Sequence, residues 1–223
     1  MGRARVVFLA FCLAALGLAA PAGATTVTVE ISGTWDSVTD NASVTNGSIT
    51  VGGSFLATLV YDDATPDSDP SVSTGAYFVP GASGSLMLET GDYTFTLLAS
   101  ETILIGIDDN VSGDDLLGLF AENFTTSGPL IAGASTGYGY INPTLFDSSQ
   151  TAHSSDDLTD LPWSIGAYDA PGIYFFIEVL GKGPNKFIEL SGEITGLAVL
   201  PEPSTFALGA VALLALARAR RSR

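Results

Sequence analysis

Four aspartates, Asp62, Asp63, Asp67 and Asp69, crowd the stretch Tyr61-Asp62-Asp63-Ala64-Thr65-Pro66-Asp67-Ser68-Asp69-Pro70. Carboxylate oxygens gathered on a flexible loop are the ligands that Ca²⁺ takes. The same residues also make a solvated turn in which aspartates cap backbone N–H groups, and that is the default where no full ligand set can be read. A second run, Asp108-Asp109-Asn110-Val111-Ser112-Gly113-Asp114-Asp115, sets Asp108, Asn110, Ser112 and Gly113 at positions 1, 3, 5 and 6 of an EF-hand-like loop. Position 12 would be Leu119 instead of Glu, and no helical pattern flanks the run, so the EF-hand reading fails. A hairpin turn rich in Asp and Asn remains. A Ca²⁺ site of another kind, drawing on Asp108, Asp109, Asn110 and Asp114, is the alternative. No other cofactor is expected.

Nucleophilic and acid–base chemistry has few parts to work with. His153 is the only histidine and sits in a Ser/Asp-rich stretch that reads as an exposed loop. A catalytic triad is defined by three-dimensional geometry, so neighbouring Ser and Asp residues do not make one. The only cysteine, Cys12, lies in an N-terminal apolar run, which leaves residues 25–200 without a thiol nucleophile, a disulfide or a thiolate metal site. Glu89, Glu101, Glu122, Glu178, Glu189 and Glu193 could supply the carboxylate pair of a glycoside hydrolase, but that chemistry needs two carboxyls at a set separation across a cleft. No glycine-rich phosphate loop stands between a strand and a helix. Trp35, Trp163, Tyr138, Tyr140 and Tyr168 could stack on sugar rings, though aromatics also fill β cores. Trp35 shares parity with Val27, Val29 and Ile31 and is assigned to the core. Tyr138, Tyr140 and Trp163 lie near expected loops and stay open.

The elements that must position these residues read as strands. Apolar residues alternate with polar ones at Val27-Val29-Ile31, Phe55-Ala57-Leu59-Tyr61, Tyr93-Phe95-Leu97 and Ile188-Leu190-Gly192-Ile194. The unbroken run Ile173-Tyr174-Phe175-Phe176-Ile177 predicts a strand buried on both faces or crossing the centre of the core. Gly91-Asp92 and Gly181-Lys182-Gly183-Pro184-Asn185 mark turns. No stretch within 25–200 shows a clean helical stripe. The expected fold is all-β: about ten antiparallel strands in a β-sandwich, jelly-roll-like or otherwise. An N-terminal signal helix and a C-terminal apolar helix are expected to flank it.

Charge is lopsided. All six arginines lie at the two ends, and residues 25–200 hold 23 acids against Lys182 and Lys186, a net charge of −21. A surface of that sign repels nucleic acid, whose phosphates call for clustered Lys and Arg. It suits solubility or the binding of hard cations.

The ends carry targeting patterns. In residues 1–24, Arg3 and Arg5 precede an apolar run from Val6 to Ala20, and Ala22-Gly23-Ala24 offers a small-residue cleavage site, which together predict a signal peptide. Residues 201–223 begin with Pro201-Glu202-Pro203-Ser204, continue through an apolar stretch from Thr205 to Ala217, and end with Arg218, Arg220, Arg221 and Arg223. Thirteen helical residues span about 20 Å, short of a ~30 Å hydrocarbon core, so this is a marginal anchor. The basic cluster should act as a membrane stop on the cytoplasmic side, placing residues 25–200 outside the inner membrane.

This tripartite tail resembles the PEP-CTERM sorting domain of Gram-negative bacteria, with Pro201, Glu202 and Pro203 matching its motif. The resemblance implies recognition by an exosortase, a membrane-embedded Cys-dependent processing enzyme. It also implies a transient stay in the inner membrane, removal of the tail, and delivery to the exopolysaccharide matrix or outer surface. The segment from Tyr61 to Pro70 followed by Gly75-Ala76-Tyr77-Phe78, and the stretch from Asn142 to Pro162, also resemble segments recurring in such proteins. They carry no activity with them.

The resulting expectation is an exported surface or matrix-associated structural protein that is not an enzyme. The alternative is a carbohydrate-binding module, with or without Ca²⁺; a matrix hydrolase is a third class. An aromatic row on one exposed face would favour the binding module, and two carboxylates facing across a cleft would favour the hydrolase.

Overall fold

The computed structural model describes residues 25–111, 113–129, 135–181 and 185–201. The signal cleavage site at Ala22 and Ala24 lies outside the described residues, as do Glu202, Pro203, Ser204, the apolar stretch and Arg218, Arg220, Arg221 and Arg223. Both expected flanking helices therefore fall outside them too.

The described chain is all-β and antiparallel. Its strands are β1 (Thr26–Asp40), β2 (Ser54–Asp62), β3 (Thr74–Pro80), β4 (Ser85–Thr90), β5 (Tyr93–Leu97), β6 (Thr102–Val111), β7 (Asp114–Glu122), β8 (Phe124–Ser127), β9 (Ser135–Asp147), β10 (Gly172–Leu180) and β11 (Phe187–Leu200). Helical structure among the described residues is limited to two short 3₁₀ turns, Leu158–Asp160 and Ile165–Ala167. The alternating runs read from sequence fall on β1, β2, β5 and β11, and Gly91, in the left-handed region at φ 55°, turns β4 into β5.

All eleven strands belong to one sheet, in the order β3-β6-β7-β9-β10-β11-β1-β2-β4-β5-β8. The antiparallel strands that were expected are joined in a single curled sheet. The reason lies in the long central strands: β1 pairs with β11 over most of its length, with register shifts after Ser32 and after Trp35. Such irregularities bend a strand and increase its twist, so the sheet turns over on itself without breaking. One limb, β3 to β11, then faces the other, β1 to β8. Across the enclosed space Phe175 of β10 meets Phe95 of β5 at 4.6 Å between ring centroids and Phe124 of β8 at 6.1 Å. Trp35, Ile31, Leu59, Leu88, Ile105 and Leu190 are among the side chains sealed into the same core. A fully buried side chain of this size contributes about 1.5–3 kcal/mol, and with no thiol in residues 25–200 such burial is what holds the curl.

One residue joins the limbs. β7 and β8 are consecutive in sequence yet pair on opposite limbs, β7 with β6 and β9, β8 with β5. Asn123 stands between them at φ 62°. Its N–H donates to the Gly139 carbonyl at 2.7 Å on β9, and its own carbonyl accepts from the Leu98 N–H at 3.1 Å just past β5. Asparagine tolerates this left-handed geometry where a residue with an ordinary side chain is strained. Asn123→Ala should therefore lower stability by about 1 kcal/mol, while Asn123→Gly should stay close to the parent. Urea unfolding midpoints check this, and an alanine variant as stable as the parent would show that the joint is not strained.

Candidate functional site

The acidic clusters turn out to be organisers of loops. Asp62 Oδ1 accepts from the Ala64 N–H, Asp63 bonds the backbone and hydroxyl of Thr25, and Asp67 Oδ1 accepts from the N–H groups of Asp69 and Ala76. Asp69 takes the Ser71 N–H and the Thr74 hydroxyl. In the second run the Asp109 carboxylate accepts from the Asn110 side-chain amide, and Asn110 turns the chain at φ 56°. Asp108 lies on β6 opposite Thr74 and Leu116, and Asp114 opens β7. Among the described residues no group of three or more His, Cys, Asp or Glu is gathered as a metal site.

Two carboxylates that sequence reasoning passed over are buried at the same end. Asp115 and Asp147 are direct cross-strand partners on β7 and β9, 0% and 3% exposed. Like charges so placed repel, and each is compensated by backbone donors, those of Asp147 from its own turn and those of Asp115 from its own turn and the loop of His153. Asp115 accepts from the N–H groups of Asn110 and His153. Asp147 takes the N–H and hydroxyl of Ser149 through one oxygen and the N–H groups of Thr151 and Ala152 through the other. His153, expected to be exposed, is 6% exposed, since its N–H is drawn inward to Asp115. Its ring Nε2 lies 3.1 Å from the Tyr168 hydroxyl, and no Ser or Asp side chain bonds the ring among the described residues. Burial lowers the His153 pKa from the usual histidine value, against the opposing pull of Asp115 and Asp109.

A band of half-exposed aromatic residues lies on the outward face of the β3–β11 limb. β10 buries Ile173, Phe175 and Ile177 and turns Tyr174 and Phe176 outward, half-buried. Of the two placements expected for this run, crossing the centre of the core holds for Ile173, Phe175 and Ile177, while its alternate aromatics belong to the surface and not to a second buried face. β9 does the same with Tyr138 and Tyr140. They lie within the strand instead of in a loop, because Gly139 between them lets β10 approach closely; a Cβ there would stand 2.7 Å from Ile177 Cγ1. Phe120 of β7, Phe187 of β11 and Phe78 of β3, the last 51% exposed, share this outward side. Tyr140 is the hub. Its ring lies 5.8 Å from Phe120, 6.1 Å from Tyr138, 5.6 Å from Tyr174 and 5.6 Å from Phe176, and Phe176 lies 5.4 Å from Phe187. The other limb presents Thr28, Ser32, Thr34, Thr58, Thr94 and Thr96 outward, with no aromatic residue among its described outward positions.

Carboxylates are interleaved with the rings. The Tyr138 hydroxyl donates to Glu122 at 2.5 Å, and the Tyr174 hydroxyl donates to Glu189 at 2.8 Å. The bond to Glu122 pushes Tyr138 up to about 12. Tyr174 is raised by burial and then by its bond to Glu189, so both phenols stay protonated as donors. Asn142, beside them, accepts from the Thr144 hydroxyl at 2.9 Å. A shallow hollow of about 250 Å³ bounded by Phe78, Leu104, Phe120 and Glu122 lies at one end of the band. One of about 440 Å³ bounded by Phe176, Glu178, Lys186 and Phe187 lies at the other. Of the aromatics singled out from sequence, Tyr138 and Tyr140 belong to this band. Trp35 is core at 1% exposure, Tyr168 is buried on His153, and Trp163 donates its indole N–H to the Tyr61 hydroxyl at 3.0 Å in a separate loop. Phe78, Phe120, Tyr174, Phe176 and Phe187 were missed. The available signal was the aromatic pair Tyr174 and Phe176 at alternate positions of a strand.

No protein-family model, no curated protein and no solved structure matches this chain. The face is therefore read from its own chemistry.

The buried carboxylates generate a pH prediction. The Ser149 hydroxyl first, then the N–H groups of Thr151 and Ser149, hold Asp147 well below the usual carboxylate value. A depressed folded-state pKa contributes stability that is present above the unfolded-chain value of about 4 and drains away as pH falls below it. Asp147→Asn should lower stability at neutral pH and flatten its decline below about pH 4. Urea unfolding at stepped pH measures both, and an acid limb as steep as the parent's would remove Asp147 as its source.

Proposed function

We propose that this protein is an exported, non-catalytic polysaccharide-binding protein of the cell surface or exopolysaccharide matrix, carried there by its C-terminal tail. The observation that carries the reading is the aromatic band centred on Tyr140, set among hydrogen-bonding carboxylates on one limb's outward face. Sugar rings offer apolar C–H faces that stack on aromatics and hydroxyl edges that bond carboxylates, phenols and amides, so a mixed surface suits them better than an aliphatic one would. Glu122 and Glu189 stand three strand spacings apart, about 14 Å. That is wide for the paired carboxyls of a glycoside hydrolase, whereas Glu178 and Glu189 are closer, as diagonal neighbours on β10 and β11; the non-catalytic reading rests on the aromatic band and not on carboxylate spacing. In the same reading the two limbs, whose inward faces meet, serve as the halves of a sandwich.

The tail reading rests on the resemblance of Pro201-Glu202-Pro203, with its apolar stretch and terminal arginines, to the PEP-CTERM sorting domain. An exosortase is then the processing partner and the inner membrane a transient station. The fold accommodates it. Thr28 and Leu200 are direct partners on β1 and β11, so the chain enters and leaves the sheet side by side, with Pro201 exposed. Glu189, in the aromatic band, lies eleven residues up β11 from Leu200, about 35 Å of extended chain. The band thus stands away from the end at which both targeting segments attach.

A sugar face covering on the order of 60 Å² of ring is worth about 1.5 kcal/mol. Tyr140→Ala and Phe176→Ala should each weaken polysaccharide binding about tenfold, while Thr58→Ala on the other limb should leave it unchanged. Affinity electrophoresis in polysaccharide-containing gels reads this, and equal retardation of all the variants would remove the band as the binding face. Replacing Pro201, Glu202 and Pro203 with alanines should retain the precursor in the inner membrane without altering the fold. Cell fractionation with mass measurement of the C-terminus decides it: protein recovered from the matrix with Arg223 still attached would rule out tail processing.

A further inference from the structure

Resting on the polysaccharide reading, we propose that the band selects an uncharged linear glycan lying across the strands and rejects polyuronates and other anionic chains. The orientation follows from the placement of the rings. Phe120, Tyr140, Phe176 and Phe187 come from four adjacent strands, β7, β9, β10 and β11, so the row crosses the sheet instead of running along one strand. Their successive centroid steps of 5.8, 5.6 and 5.4 Å are near-uniform and close to the rise of one pyranose residue in an extended chain. Successive rings along this oblique row can therefore meet successive sugars.

The selection follows from charge. The polar groups along this row are acceptors and neutral donors: Glu122 and Glu189, each held by a tyrosine hydroxyl, the exposed Glu178, and the amide of Asn142. Carboxylates so fixed accept hydrogen bonds from sugar hydroxyls. A uronate would instead bring its own carboxylate against them on a body with a net charge of −21. The one cation among the described residues is Lys186, and its ammonium is engaged by the Asn41 carbonyl at 2.7 Å. The same charge argues against a second copy of this chain as the occupant, since two such faces would set like carboxylates against each other.

The test uses the full chain purified in detergent, run in native gels containing galactomannan, xylan, polygalacturonate or alginate. The two neutral polymers should retard it at least about tenfold more strongly than the two polyuronates at low salt. The difference should narrow at about 0.5 M salt, where the screening length falls to roughly 4 Å. It should also narrow in the triple variant Glu122→Gln, Glu178→Gln, Glu189→Gln, whose fold is checked by circular dichroism, with the salt series as an independent readout on the parent protein. Polyuronates binding as well as the neutral polymers would overturn the selectivity and leave the polysaccharide reading standing. So would a preference unmoved by both salt and the triple substitution. Retardation by none of the four would remove the polysaccharide reading and this inference with it. Light scattering that finds a dimer broken by Phe120→Ala would assign the band to a second copy instead.

Discussion

Phe175, midway along β10, packs on Phe95 and Phe124 from the opposite limb, and the rest of the molecule depends on that contact. An eleven-stranded sheet left open would expose the apolar side of every strand. Curled, it gives all of them one shared core. Residues 25–200 have no thiol to staple the curl, so apolar burial and the backbone joint at Asn123 hold it together. The limbs meet because the chain passes from β7 to β8 through a residue that hydrogen-bonds to both sides.

That inward demand divides the labour of the sheet's two sides. Every second residue is committed to the core, and the remaining positions are free to carry other chemistry. On the β1–β8 limb they are largely hydroxyl-bearing and small. On the β3–β11 limb they carry the Tyr140-centred rings and the glutamates Glu122, Glu178, Glu189 and Glu193. Aromatic side chains in these positions are not needed by the core, which already holds its own set in Trp35, Tyr61, Tyr93, Phe95 and Phe175. A surface that keeps rings half-exposed beside fixed carboxylates is stabilised further when something with apolar faces and hydroxyl edges covers it.

The abundant aspartates are organised by bonds to nearby backbone groups. Asp62, Asp67, Asp69 and Asp147 each close a turn on nearby backbone N–H groups, and Asp115 ties two loops together through Asn110 and His153. Local side-chain-to-backbone bonding of this kind explains why Asp is favoured between strands. The acidic character of the chain is thus partly a consequence of its many turns.

Much of the fold was legible in the residue pattern. Period-two alternation marked β1, β2, β5 and β11, and Gly91-Asp92 marked a hairpin, because side-chain direction in a strand alternates whatever the tertiary arrangement. The targeting segments proposed for the two ends likewise rest on local composition alone. Alternation does not say which strands are neighbours, so one curled sheet and two stacked sheets predict the same pattern. Nor does it settle a run such as Ile173 to Ile177, where both parities are apolar and only the finished sheet shows that Tyr174 and Phe176 face outward. The aromatic band joins residues from Phe78 to Phe187, and His153 is buried by Asp115 from another strand. These sites exist only once strand order and register bring distant residues side by side, and the energetics of closing one core over the described strands decided that order.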